Sequence, residues 1–297
     1  MEKLKNFENP RQLLEWLVNA NEINRYYFRG ISKDEHKYPS IMRHHDDDLS
    51  FVEDHILREF SKYGCSLVGN ITNAFDYVSY AQHFGLPTRL VDWTRNPFVA
   101  LFFAVYYANK DNTCDPRILC LPHSKTIEMH EPAHIVKDRE LFISSNNAVR
   151  DYRKFIQQVE GGLISEICIA FANSHENMNV SAGYSETINN KNKNGYMITI
   201  DTGYSNARLL AQDGLFYLPR KLEKTKIDSE YSASDVQYIS IPLEWRETIL
   251  QALERIGVTK YKLFFDLETI CKYVVEKVTS SIENLERGLE YSDNHED

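Results

Sequence analysis

The chain has 297 residues, of which 42% are hydrophobic and 26% charged, the proportions of an ordinary soluble globular protein. Its formal net charge of −9 argues against a surface that tracks a phosphate backbone over the whole molecule, though it leaves room for a local basic groove. Five scattered cysteines (Cys65, Cys114, Cys120, Cys168 and Cys271) form no CxxC pair and so imply neither a disulfide framework nor a zinc knuckle. The first residues lack a signal-like apolar core, and no run approaches the roughly 20 apolar residues of a membrane span. The expected address is the cytoplasm, with no membrane partner.

In chain order, Asn9 and Pro10 ahead of Leu13, Leu14, Leu17 and Val18 predict a capped amphipathic helix. Residues 26–31 predict a short buried strand, with Gly30 near its end. Residues 31–50 read as an irregular loop containing Pro39 and the run His44-His45-Asp46-Asp47-Asp48. Helical spacing returns over 51–64 and again over 71–84. A polar run from Tyr80 to Arg95 then leads into an apolar helix expected over 97–109, with Pro97 in its first turn.

Beyond that helix the pattern changes. Strands are predicted at 117–121, 166–171 and 196–200, the last after an Asn194-Gly195 turn. Residues 172–195, rich in Asn, Ser, Lys and Gly, read as a surface loop, and 207–219 as two short strand pieces around Gly214. A basic linker at 221–226, a strand at 236–241 and helices at 244–256 and 267–287 follow. The domain is expected over 1–280, with 281–297 an acidic, frayed tail. Helices first, strands after and helices again at the end indicate an α+β fold in a single compact domain, rather than repeated βαβ units.

The densest chemistry lies in the polar run. His83, Arg89, Asp92 and Thr94 are crowded against the start of a buried helix, which suits a small-molecule site. Each also has a plainer explanation. Asp92 or Thr94 could cap the helix, Arg89 and Asp92 could pair, and His83 beside Phe84 could be a packing residue. Arg29 stands at the end of an aromatic-rich strand, just before Gly30, which lets a ligand or another backbone approach closely. Its guanidinium suits a bidentate contact to phosphate or carboxylate, or else a buried pairing with an Asp. Gln212 can orient a ribose hydroxyl or a base edge but cannot act as a general base. The alternative for Gln212 is a hydrogen-bonding turn residue. No metal site is expected, because neither the 44–48 run nor His123, His130 and His134 show ligand spacing.

Three motifs then carry a resemblance. Tyr27-Phe28-Arg29-Gly30 resembles the Phe-Arg-Gly motif of the FRG domain family. The run from Gln82 through His83, Arg89 and Asp92 to Thr94 resembles that family's longest motif nearly residue for residue, with Val91 where Leu is usual. Arg208 to Phe216 resembles its third motif, an Arg followed by Gln-x-Gly-x-Phe. The resemblance spans roughly residues 20–275. The motif order is in turn similar to that of ADP-ribosyltransferases, which implies a split β-sheet core with N- and C-terminal helices and NAD as substrate.

Carried over residue by residue, the resemblance makes Arg29, His83, Asp92 and Gln212 the catalytic set. Tyr27, Gly30, Arg89, Trp93 and Thr94 become the cofactor-binding set. Gln212 stands near where those enzymes supply a catalytic Glu, so Asp92, Asp213 or another carboxylate must act if turnover occurs. The implied function is an NAD-consuming enzyme that modifies a protein or nucleic acid. In bacteria that suits a toxin or phage-defence effector, with a regulatory or antitoxin partner. The alternatives are a non-catalytic nucleotide- or RNA-binding module, and a structural protein whose acidic C-terminus docks a basic partner.

Overall fold

A computed structural model describes residues 1–44, 49–64, 74–109, 116–130, 196–201, 207–264 and 266–279. The strand expected at 166–171, the loop at 172–195, most of the 44–48 run and the acidic tail lie outside these residues. The strands are β1 (Glu2–Lys3), β2 (Tyr26–Ile31), β3 (Val91–Thr94), β4 (Arg117–Pro122), β5 (Thr126–His130), β6 (Met197–Asp201), β7 (Gly214–Leu218) and β8 (Gln237–Ser240). Among the described residues they form one mixed sheet in the order β1-β8-β4-β2-β3-β7-β6-β5. The β1–β8 and β5–β6 pairs are parallel and the rest antiparallel. Helices are α1 (Pro10–Leu17), α2 (Ala20–Ile23), α3 (Ile41–His44), α4 (Leu49–Gly64), α5 (Ala74–His83) and α6 (Pro97–Tyr106), then α7 (Ala207–Gln212), α8 (Lys224–Ala233), α9 (Arg246–Arg255), α10 (Lys260–Leu263) and α11 (267–279).

Strand alternation sorts the core into two layers. Phe28, Ile118, Cys120 and Ile239 face α1, α6 and α9 on one side of the sheet. Tyr27, Ile31, Trp93, Leu119, Leu121 and Tyr217 face the other side, where Ile227 and Tyr231 of α8 cover them. That is the period-2 pattern of a sheet buried on both faces. The fold is therefore α+β in one domain, with helices on both sides of the sheet.

Helix α6 is the central helix because nearly every residue in it is apolar, so it can rest only in the interior. Val99, Ala100, Leu101, Phe102, Ala104 and Val105 are all buried. Its start is set by Asn96, whose side chain accepts from the Phe98 amide at 2.9 Å, with Pro97 following. Neither Asp92 nor Thr94 is the cap. Both lie in β3, and Thr94 Oγ1 instead accepts from the Asn96 amide at 2.9 Å. Gly30 packs beneath this helix: a Cβ there would overlap the Ala100 carbonyl and sit 2.6 Å from the Ala104 nitrogen. The close approach that Gly30 permits is thus by another backbone.

The split core expected from the resemblance is not what the strands form. They make one continuous sheet, but its central junction is narrow. β2 and β3 pair through one residue couple, Phe28 with Thr94, whereas β2 and β4 pair along all six residues of β2. Beyond Phe28 the two strands part, and the Arg29 side chain spans the gap.

Several segments differ from their predicted structure, among them the stretch 31–50, read as loop, which holds α3. Residues 207–212 form helix α7 rather than a strand piece, and only 214–218 form a strand. Asp213 makes the break in the left-handed region at φ 46°, a conformation that Asp tolerates better than most residues. The second half of the basic linker is helix: α8 begins at Lys224 and anchors itself through Ile227 and Tyr231, one turn apart.

Candidate functional site

The parting of β2 and β3 opens a cleft walled by β2, β3, α3, α5 and α7. It has two lobes, of about 290 Å³ and about 210 Å³. The larger is lined by Tyr38, Ser79, Gln82, His83 and Leu209 among others, and the smaller, more apolar one by Phe28, Trp93, Val99, Phe103 and Tyr107 among others. Both lobes share Arg29, Arg43, Asp92, Arg208 and Gln212.

Arg29 is positioned by backbone. Its Nε and Nη2 donate to the His36 carbonyl at 3.2 and 2.7 Å, and its Nη1 to the Asp92 carbonyl. These contacts bridge the diverging strands and leave part of the five-donor guanidinium for a ligand. The expected pairing of a buried Arg with an Asp is thus made to the Asp92 backbone rather than to its carboxylate. Burial lowers the Arg29 pKa from its ordinary value, and the nearby Asp92 opposes that shift.

Asp92 faces solvent on β3, and its Oδ1 accepts from Gln82 Nε2 at 2.8 Å. Gln82 is itself fixed, because its Oε1 accepts from Thr88 Oγ1 at 2.5 Å. Asp92 is the one carboxylate that lines either lobe among the described residues. Asp213, the other acid considered for the missing Glu, lines neither and lies 3.8 Å from Arg95.

His83 ends α5 at the rim of the larger lobe, with its ring edge-on to Phe84. Its Nδ1 is buried without a hydrogen-bond partner. Burial, and then the charge of Arg208, lower its pKa from the ordinary value, so the neutral ring is favoured near pH 7. Gln212 is buried, and its Nε2 donates to the Leu263 carbonyl at 2.9 Å. That contact fixes the amide's orientation and leaves Oε1 as an acceptor.

The other expected site residues are placed differently. Gly30, Trp93 and Thr94 line the smaller lobe only. Thr94 Oγ1 is committed to the Gln212 carbonyl at 2.6 Å, and Trp93 belongs to the core. Tyr27 lines neither lobe; it packs against His123 with ring centroids 4.2 Å apart. Arg89 lines neither lobe as well. It is 1% exposed and bound to Glu53, with Nε to Oε2 at 2.5 Å and its amide to Oε1 at 2.8 Å. This pair ties α4 to the segment that leads into β3.

Arg43, Arg208 and His36 were not foreseen as site residues. His36 Nδ1 lies 3.2 Å from Ser32 Oγ, and burial followed by the charges of Arg43 and Arg29 pushes its pKa down to about 4. Arg208 and Gln212 are four apart, a spacing that places both on one helix face. That signal was available only once residues 207–212 were read as helix.

Comparison with known proteins supports the first two of the three motifs; the third, at 208–216, and most of the 20–275 span lie outside the match. No curated protein and no solved structure matches the chain. The model of the FRG domain family matches residues 24–113, which hold Arg29, Arg43, His83 and Asp92 but not Arg208 or Gln212. The chain therefore carries an FRG domain, and the described cleft lies against it.

Proposed function

We propose that the cleft receives a dinucleotide of the NAD type, and that the protein is an NAD-consuming enzyme of ADP-ribosyltransferase type acting on a protein or nucleic acid. The observation that carries this reading is the meeting of two lobes at one wall of Arg29, Arg43, Arg208, Asp92 and Gln212. A dinucleotide has two nucleoside ends joined by a diphosphate. Its ends suit two lobes, its charge suits guanidinium groups, and its ribose hydroxyls suit the open Oε1 of Gln212.

The chemistry follows from Asp92, the cleft's one acid among the described residues. When the nicotinamide–ribose bond breaks, its electron pair leaves with nicotinamide and the ribose carbon becomes cationic. Asp92 is the carboxylate available to stabilise that charge. Attack by an acceptor hydroxyl or by water forms the new bond and releases one proton. His83, neutral and with Nδ1 unpartnered, is suited to take it. An activity of this kind suits a bacterial toxin or phage-defence effector held in check by a partner.

One observation favours a second reading. Asp92 is already engaged by Gln82, and Gln212 brings no charge, so the same cleft suits a non-catalytic nucleotide- or RNA-binding module. The two separate in one assay. Pure protein is incubated with NAD and nicotinamide release is followed, with Asp92→Asn in parallel. The enzyme reading expects release that falls by roughly a hundredfold or more in Asp92→Asn. NAD-dependent thermal stabilisation without release selects the binding module, and neither effect removes both readings for NAD.

A further inference from the structure

The cleft's charge is more specific than a general attraction for nucleotides. In a chain of 43 acidic and 34 basic residues, a wall with three Arg and one Asp departs sharply from the average composition. Two of those arginines also differ from Arg29. Arg29 spends three of its donor groups on backbone carbonyls. Neither Arg43 nor Arg208 has an ion pair or a side-chain hydrogen bond among the described residues.

Arg208 is oriented through its side chain and Arg43 is positioned through its backbone. The Arg208 guanidinium lies over the Phe264 ring, 4.7 Å from its centroid, a contact that orients the plane without using its N–H donors. Arg43 sits on the short helix α3, whose turn is closed by the Arg43 amide donating to the Ser40 carbonyl at 3.0 Å. The two come from different elements and both line both lobes. Arg29 and Arg43 bring like charge to this wall, and Glu35 and Asp92 offset it in part: the Arg43 pKa is lowered, first by desolvation and then by Arg29, against the opposing pull of Glu35 and Asp92.

We propose that Arg43 and Arg208 form a diphosphate clamp, one guanidinium for each phosphoryl group, with Arg29 behind them as a positioning residue. The assignment deepens the dinucleotide reading, on which its natural ligand rests, yet the clamp can be examined without that ligand. It places the diphosphate where the two lobes meet and one nucleoside in each lobe.

The test uses the full chain and inorganic pyrophosphate as probe, with NAD in a parallel titration. Wild-type protein, Arg43→Ala, Arg208→Ala, the double alanine variant and the two lysine variants are compared by calorimetry. Thermal melts confirm that each variant is folded. Pyrophosphate affinity is expected to fall roughly tenfold in each alanine variant and further in the double variant, with partial recovery in the lysine variants. Pyrophosphate binding that follows this pattern while NAD fails to bind supports the clamp and removes the NAD reading. A wild-type protein that does not bind pyrophosphate, or a folded double variant that binds it as well as wild type, overturns the clamp.

Discussion

Arg89 and Arg43 place the same side chain in opposite settings. Arg89 is sealed in the interior against Glu53, while Arg43 faces a cleft and has no acid bound to it among the described residues. A buried pair contributes mainly to holding the structure together, because removing one partner strands the other charge. An unpaired guanidinium on a cleft wall contributes little to folding and keeps its donors for a ligand. An Arg within the longest sequence motif is therefore structural, and an Arg in a segment read as loop is the one that lines the cleft.

The comparison breaks most readily at the buried pair. Glu53→Ala should destabilise the protein by about 3–5 kcal/mol, read by urea denaturation, because Arg89 would be left buried without its partner. A loss near zero would show that the pair is not sealed. Gly30→Ala should cost about 1–3 kcal/mol in the same measurement. The added methyl would meet backbone of α6 rather than a flexible side chain, so β2 and α6 would have to separate.

The cleft side of the comparison has a pH signature. His36 has a folded pKa of about 4 against an ordinary value of 6.5, so between those values the unfolded chain binds more protons than the folded one. Stability should fall as pH drops through that window and be unaffected by this group above it. Urea midpoints measured across the window should flatten in His36→Gln. A slope identical to wild type would place the acid sensitivity elsewhere. The smallest effect belongs to Arg208→Ala, which should change stability by no more than about 1 kcal/mol, the loss of its contact with Phe264. A large loss there would mean that Arg208 is structural after all and would dissolve the contrast with Arg89.

Local patterns made part of this molecule legible. The aromatic-rich run of β2 and the Pro-led apolar run of α6 predict their own elements, and Arg29, His83, Asp92 and Gln212 do converge on one cleft. What could not be read depends on distance or on ambiguity. Glu53 lies 36 residues before Arg89, so no local spacing reveals that the two are partners. The short apolar run at 207–212 fits strand and helix equally, and reading it as strand left Arg208, the Arg of the third motif, out of the expected site. On a strand it would stand about 13 Å from Gln212, but on a helix only one turn away. Arg43 lies in a stretch read as loop, where a lone basic residue carries no signal until α3 turns it toward Arg29. The polar face of α8 concealed a helix that only two buried side chains anchor.

The cleft is proposed to bind an NAD-type dinucleotide through its guanidinium wall. Its most direct test is a stopped-flow titration of tryptophan fluorescence with NAD, read before turnover, since Trp93 lines the smaller lobe. A saturable one-site curve is expected for the wild-type protein, with affinity at least roughly tenfold weaker in a folded Arg29→Ala variant. No saturable signal with millimolar NAD, confirmed by equally absent protection against thermal unfolding, would contradict it, as would binding that Arg29→Ala leaves unchanged.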